Sequence, residues 1–467
     1  MFVNPSIDRL VLDSLTDPLN MLVRSYPDWM FWITSCPYHL SYKTKKLAFS
    51  VVALDRHRAF RAVMDYYKEY SDALIFDNRY PLIQMDRGLV LDEFREALLH
   101  TDSFSTWNVL FFGENGSGVG VKRELYSEVG KELQKEKYKL WTKSSVTRTG
   151  YIHSRELYPD FYMGNKKGKG VGFENASIEE KFHIIGQIMA KALMEGHLLD
   201  LPLSLPVFKW LLIEESQLTI YDLKHVSEEL FKTLLPIKEM IQEEKRISNN
   251  QSLSPKTRNN LLKKLHDEWE TVESYHLVFV VPNHDVELIP GGRDIVVTRH
   301  NAALYIEKIE KFLLHKGVEK AMVALRTGFH KMINLDYLQI FEPSELQSLI
   351  CGEENDKYWT LPHLEINVEL SGFGIDSPEV QQLFYILSTM SKERRQKFLE
   401  FVTACPRLPA DGFAGLTPAF TVKRTTVYPF AQTCFHTLHL TVGISKEQLE
   451  TFIEVALIHG VGYFGIV

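Results

Sequence analysis

The run Tyr428-Pro429-Phe430-Ala431-Gln432-Thr433-Cys434-Phe435-His436-Thr437-Leu438-His439-Leu440, close to the end of the chain, constrains the fold more than any other segment. Leu438 and Leu440 stand two apart and so share one face of a short strand, while Phe435, Thr437 and His439 take the other. Beyond them Ser445, with Gln448 three residues later, forms a capping-box pattern. Leu449, Phe452, Ile453, Ala456 and Leu457 then recur at helical spacing, which predicts a helix that covers the strand. Cys434 falls at the strand entrance, next to a proline-bearing loop. That position suits a presented thiol, and local sequence leaves open the alternative of a buried structural cysteine.

The rest of the composition narrows the class. A chain of 467 residues with 45% hydrophobic and 24% charged residues has material for more than one core, about two to four structural units by length. A net charge of -7 implies no strongly basic face and argues against a nucleic-acid partner. The four cysteines, Cys36, Cys351, Cys405 and Cys434, form no Cys-x-x-Cys pair, so neither a metal site nor a disulfide framework is expected, and the compartment reads as reducing. No apolar run reaches the roughly 18 residues that a membrane helix needs, and Met1-Phe2-Val3-Asn4-Pro5 lacks the basic start of a signal peptide.

Along the chain, helical patterns with Pro-containing turns fill the first eighty or so residues, an accessory layer in the simplest reading. Phe112-Gly113-Glu114-Asn115-Gly116-Ser117-Gly118-Val119-Gly120-Val121-Lys122-Arg123-Glu124 is glycine-rich and contains a lysine, yet it has neither the Walker spacing nor Gly-x-Gly-x-x-Gly. That mismatch argues against a nucleotide site, and the stretch resembles the glycine-rich turn near the start of HECT ubiquitin-ligase catalytic domains, which implies a turn before a helix. Lys166, Lys167 and Lys169 among glycines read as a solvated loop. Phe182, Ile185, Met189, Ala192 and Leu193 share a helix face, with Asp200-Leu201-Pro202 as the expected stop. From Gln242 to Glu270 the pattern is polar and helical, broken around Asn249, Asn250, Ser252 and Pro255, which predicts a protruding helix pair. Glu353-Glu354-Asn355-Asp356-Lys357 follows Gly352 and offers few apolar groups to restrain a hinge. Ser377-Pro378 and Ser391 start two more helices, with Val380, Leu383, Phe384 and Leu387 on one and Phe398, Leu399 and Val402 on the other.

The C-terminal run resembles the end of the HECT family of ubiquitin-protein ligases, whose signature is Thr-Cys-Phe-Asn before an apolar strand, an amphipathic helix, and a phenylalanine fourth from the C-terminus. Thr433, Cys434, Phe435, Leu438, Leu440 and Phe464 match it. His436 stands where the family has Asn, Thr441 where it has Pro, and Gln432 where many members have His. Upstream, Cys36, Pro37, Ala53, Asp55, Arg56, Arg58 and Ala59 resemble the ubiquitin-fusion-degradation subgroup, as does Leu201-Pro202-Leu203-Ser204-Leu205-Pro206 through Lys209-Trp210.

The resemblance implies an α+β, bilobal catalytic domain with a larger, mostly helical N-lobe and a small α/β C-lobe joined by a short hinge. The implied division is a helical extension over 1–95, an N-lobe with a subdomain that binds the ubiquitin-conjugating enzyme over 96–352, and a C-lobe with the catalytic cysteine over 353–467. It also implies Cys434 as nucleophile, with Phe464, Thr433 and His436 in support. The docking groove for the conjugating enzyme falls on Leu230, Thr233, Leu234, Leu277 and Tyr305; helical spacing alone reads Leu230 and Leu234 as core. The implied partners are ubiquitin, a conjugating enzyme and protein substrates, with no cofactor, nucleic acid or membrane, in the cytoplasm or nucleus.

The chemistry demands little beyond a reachable sulfur. Moving ubiquitin from one cysteine to another exchanges thioesters of nearly equal energy, so the task is alignment, and an exposed thiol with a pKa near ~8.5 supplies some thiolate at neutral pH. A substrate amine then attacks the new thioester. Two other readings remain. One is a cysteine hydrolase with His436 or His439 as base, although both lie far closer to the cysteine than in papain-like enzymes. The other is an adaptor that keeps the fold without the activity, suggested by the three departures.

Overall fold

The computed structural model describes residues 3–23, 36–67, 81–114, 116, 118–142, 156–161, 172–212, 218–282, 284 and 286–459. Buried apolar side chains segregate into two cores, one drawn from Val11 to Cys351 and the other from Tyr358 to Leu457. Two bodies follow from that division, and Gly352 lies between them.

The first body is built on helices. Those that matter below are α1 (Tyr42–Ala53), α2 (Val90–His100), α3 (Val119–Leu133), α4 (Ile178–Glu195), α5 (Glu228–Asn249), α6 (Pro255–Glu273), α7 (Glu319–Met332) and α8 (Pro343–Cys351). A two-stranded parallel pair, β1 (Leu82–Met85) and β2 (Asn108–Phe111), lies among them. Helix α4 is the axis. Ser177 and Glu180 close a capping box at its start, and nearly every residue from Lys181 to Met194 is buried, so its apolar periodicity marks only part of what it packs. It stops at Glu195 rather than running on to Asp200, because Gly196 takes φ 70° and the amides of Gly196 and His197 bond back to Leu193 and Ala192. That is a Schellman stop, which glycine adopts without a Cβ penalty.

Helices α4 and α7 cross at bare backbone. A Cβ on Gly186 would lie 2.1 Å from the Leu325 carbonyl oxygen, and one on Gly328 would lie 1.9 Å from that of His183. Only glycine permits this approach.

The N-terminal helices are not a detached layer. Lys45 on α1 donates to both carboxylate oxygens of Glu345 on α8, at 2.7 and 3.0 Å, with both side chains buried. Phe49 meets Phe341 edge-on nearby. The expected division at residue 95 falls inside α2, and residues on either side of it share one core. The polar region from Gln242 does form a helix pair, α5 and α6, separated by a turn and restarted by Ser254 as N-cap before Pro255.

The second body carries a four-stranded sheet in the order β3 (Glu369–Ser371), β4 (Thr421–Thr425), β6 (Thr437–Thr441), β5 (Phe430–Gln432). The first two pairings are parallel and the last is antiparallel. Val422, Leu438 and Leu440 are fully buried against α9 (Pro378–Thr389), α10 (Lys392–Thr403) and α11 (Lys446–His459). The capping box at Ser445 and Gln448 is formed, and Leu449, Phe452, Ile453, Ala456 and Leu457 are all buried. This is the helix over the strand that periodicity predicts.

The charged stretch after Gly352 is short of apolar restraint, as its composition implies, but polar groups hold it. Glu353 donates its amide to the Leu408 carbonyl at 2.7 Å, its carboxylate accepts from Ser348 and Tyr358, and Glu354 pairs with Lys392. The stretch belongs with the second body.

Candidate functional site

Cys434 occupies the tip of a hairpin. Strand β5 pairs antiparallel with β6 in the register Phe430 to His439, Ala431 to Leu438 and Gln432 to Thr437, which leaves Thr433–Phe435 as a single 3-10 turn between them. The segment before the cysteine, read as a loop because of Pro429, therefore ends in an edge strand; three residues are too few to show alternation in sequence. His436 completes the turn in the left-handed region at φ 48°, and its amide reaches back to the Thr433 carbonyl. Cys434 is exposed, and so is Phe435.

The four cysteines separate by environment. Cys351 and Cys405 are buried, and burial pushes each thiol up to about 12, where thiolate is negligible at neutral pH. Cys36 and Cys434 are exposed.

Each departure from the family pattern is bonded in place. Gln432 bridges the hairpin through Oε1, which accepts from His439 Nε2 at 3.0 Å, while the His439 ring stacks on Phe430 at 4.1 Å. The hydroxyl of Thr441 donates to the Val427 carbonyl. His436 is 2% exposed, its Nδ1 donates to the Pro418 carbonyl, and its Nε2 has no hydrogen-bond partner among the described residues. Burial, and next the charge of Arg123, lower its pKa to about 3, so the imidazole is neutral. Among the described residues no histidine hydrogen-bonds the Cys434 sulfur. The cysteine–histidine pair that a hydrolase requires is not assembled.

The first body reaches this hairpin through α3. A Cβ on Gly120, in the first turn of α3, would lie 2.6 Å from the Cys434 sulfur. Arg123, one turn further, donates Nη2 to the Thr417 carbonyl at 2.6 Å. Lys131 further along the helix pairs with Glu400 on α10, and Asp200 pairs with Arg407 at 3.0 Å. The glycine-rich stretch is thus more than a turn before a helix, because its glycines also let the helix start touch the sulfur. The signal available in sequence was the bare Gly-x-Gly ahead of Arg123, which no local pattern connects to a cysteine more than three hundred residues away.

The expected docking positions divide. Leu234 and Tyr305 are each 1% exposed, so they are core and cannot touch a partner in this arrangement; Leu234 shares the inward stripe of α5 with Ile237. Leu230, Thr233 and Leu277 are half-buried. Tyr275, Ile295, Val296 and Leu304 are the exposed apolar residues of this region, and Val296 bridges to Val278 beside Leu277. They went unread because a β-branched run such as Ile295-Val296-Val297 looks like a buried strand, whereas only Val297 is buried. Phe464 and the lysines 166, 167 and 169 lie outside the described residues. Among the described residues no three His, Cys, Asp or Glu side chains are placed to hold a metal ion, and no helix is long and apolar enough to cross a membrane.

Comparison with known proteins bears on this arrangement. Residues 127–467 match the family model described as HECT-domain (ubiquitin-transferase). The chain is 31% identical over 478 residues to the E3 ubiquitin-protein ligase TRIP12 of Danio rerio, covering 96% of this chain and 24% of that protein. It is 26% identical over 487 residues to the E3 ubiquitin-protein ligase UPL4 of Arabidopsis thaliana, covering 99% of this chain and 31% of that one. It is also 26% identical over 498 residues to the ubiquitin fusion degradation protein 4 of Saccharomyces cerevisiae, covering 99% and 32%. The chain thus spans a quarter to a third of the length of these relatives.

Proposed function

Since this chain belongs to the HECT-domain family, with the ubiquitin-fusion-degradation proteins among its relatives, we propose that it is a ubiquitin-protein ligase working through Cys434. The exposed Cys434 at a hairpin tip carries the reading, because it is presented on a 3-10 turn while Cys351 and Cys405 are buried. In the proposed cycle the Cys434 thiolate attacks the thioester carbonyl of ubiquitin on a conjugating enzyme. That enzyme's cysteine leaves, and a substrate lysine amine then takes the ubiquitin from Cys434. Alignment supplies most of the rate, as the exchange is nearly balanced in energy.

We assign residues 96–352 to the N-lobe, with 1–95 packed on it, and 353–467 to the C-lobe. Thr433 and His436 support the nucleophile by holding the turn, His436 as a neutral spacer rather than a base; Phe464 is assigned to the lysine-transfer step on resemblance. The conjugating enzyme docks on Leu230, Thr233 and Leu277 together with the exposed Ile295, Val296 and Leu304, with Leu234 and Tyr305 acting as the floor beneath. The reaction takes place in a reducing compartment, the cytoplasm or nucleus. Because Gln432, His436 and Thr441 each make a hydrogen bond that stabilises the turn or its strands, the departures support an intact site over an inert adaptor.

Incubation with activating enzyme, conjugating enzyme, ATP and ubiquitin tests this. A ligase gives an adduct on a non-reducing gel that reductant removes and that Cys434→Ala abolishes. An adduct that survives in Cys434→Ala, or none with a panel of conjugating enzymes, refutes it.

A further inference from the structure

Among the described residues nothing caps the start of helix α3. Gly118 at its N-cap has φ 111° and no side chain to accept, and the first intrahelical bond runs from Lys122 to the Gly118 carbonyl. The amides of Val119, Gly120 and Val121 therefore have no acceptor among the described residues, and this first turn is the positive end of a fifteen-residue helix. The Cys434 sulfur lies beside this turn, packed on the bare Cα of Gly120.

Two unsatisfied polar atoms accompany it. Arg123 fixes one nitrogen on the Thr417 carbonyl, while its Nη1 is buried with no partner among the described residues. His436, held by the adjacent Pro418 carbonyl, has a buried Nε2 with no partner among them. The guanidinium suppresses protonation of His436, while burial lowers its own pKa to about 10. A buried donor left unmade is costly, so Nη1 is poised for an acceptor that arrives only during turnover.

We propose that Arg123, together with the first turn of α3, stabilises the negative charge that forms at Cys434 when an amine discharges its thioester, so that the docked arrangement of the two bodies serves discharge rather than loading. This rests on Cys434 carrying an acyl group as proposed above. In discharge the amine lone pair forms a C–N bond to the thioester carbonyl carbon, the π pair moves onto oxygen, and the ammonium proton passes to solvent. Collapse re-forms the carbonyl and breaks the C–S bond, leaving the pair on the Cys434 sulfur, which solvent protonates. At every stage one negative charge, first on oxygen and then on sulfur, needs donors beside it. Sterics favour discharge too. Loading requires a second folded protein to bring its own thioester to a sulfur that Gly120 covers on one side, whereas discharge needs only the slim end of a lysine.

The test uses the full chain and single-turnover kinetics, with loading followed from the conjugating-enzyme thioester and discharge followed by adding free lysine to pre-loaded protein. Arg123→Ala is expected to discharge at least tenfold more slowly at saturating lysine, with the half-saturating lysine concentration unchanged and loading within about twofold of the parent, a tenfold loss being about 1.4 kcal/mol of barrier. Arg123→Lys should recover part of the rate, since it restores charge without the forked contact. Gly120→Ala should also slow discharge more than loading, by forcing the sulfur away from the helix start. Discharge at the parent rate in both Arg123→Ala and Gly120→Ala overturns the inference, as does an equal loss in both steps. If the parent forms no Cys434 adduct at all, the proposed function itself falls, a distinguishable result.

Discussion

Replacing Lys45 by Met should destabilise the first body far more than a one-charge change at the surface would. The ammonium is 1% exposed and meets both oxygens of Glu345, which is 7% exposed. Methionine keeps the unbranched stem and fills most of the space, so the loss is electrostatic: a carboxylate stranded without its counter-ion. Breaking a buried pair from one side costs about 3–5 kcal/mol. Spread over a core of some 350 residues at about 2 cal/mol/K of unfolding entropy per residue, that lowers its melting temperature by roughly 4–7 °C. The double variant Lys45→Met, Glu345→Met removes both charges and should recover most of the deficit, less about 1 kcal/mol because Glu345 also caps the Glu342 amide. Differential scanning calorimetry of the three proteins decides the matter. A single variant melting within a degree of the parent, or a double variant no better than the single, would refute the argument that the pair is both buried and mutually dependent.

The helix crossing gives a steric prediction. Gly328→Ala forces α4 and α7 apart, and overpacking of this kind costs typically about 1–3 kcal/mol; Gly374→Ala, whose Cβ would meet nothing nearer than Ser377 at 3.9 Å, should leave the urea midpoint unmoved. His436 gives a pH prediction. Its pKa falls from the unfolded 6.5 to about 3 in the native chain, so between those limits the unfolded state binds a proton that the native state does not, and stability is lost as pH falls through that window. His436→Asn should flatten the pH dependence of the urea midpoint between pH 7 and 4, and an unchanged slope would show that the ring is not buried neutral.

What the sequence disclosed and what it hid follow physical lines. The C-terminal helix was legible because Ser445, Gln448 and the stripe from Leu449 to Leu457 are local signals that agree with one another. Leu438 and Leu440 were legible for the same reason. The edge strand Phe430–Gln432 was not, because its order comes from pairing across the turn rather than from its own residues. The attachment of the N-terminal helices rests on Lys45 and Glu345, three hundred positions apart, and a lysine in an amphipathic helix ordinarily signals solvent. At the site, Cys434 stood out by its neighbours in sequence. Gly120, its neighbour in space, and Arg123 one turn along the same helix carried no mark that composition or periodicity can read, and Leu234 and Tyr305 show the converse, since positions that the resemblance implies for docking are buried.

The tether between the bodies sets how the sulfur can travel. The Gly352 amide is committed to the Ser348 carbonyl at the end of α8, and the very next amide, of Glu353, is committed to Leu408 on the other side. While both bonds persist, and once the Ser348–Glu353, Arg123–Thr417, Lys131–Glu400 and Asp200–Arg407 contacts open, only the two torsions of Gly352 separate one body from the other. Reorientation then resembles a ball joint, not a slack rope: it swings Cys434 along an arc centred on one residue and gives it almost no freedom to slide. Any geometry that brings the sulfur to a distant donor must lie on that arc, or else the Glu353 bond must first open.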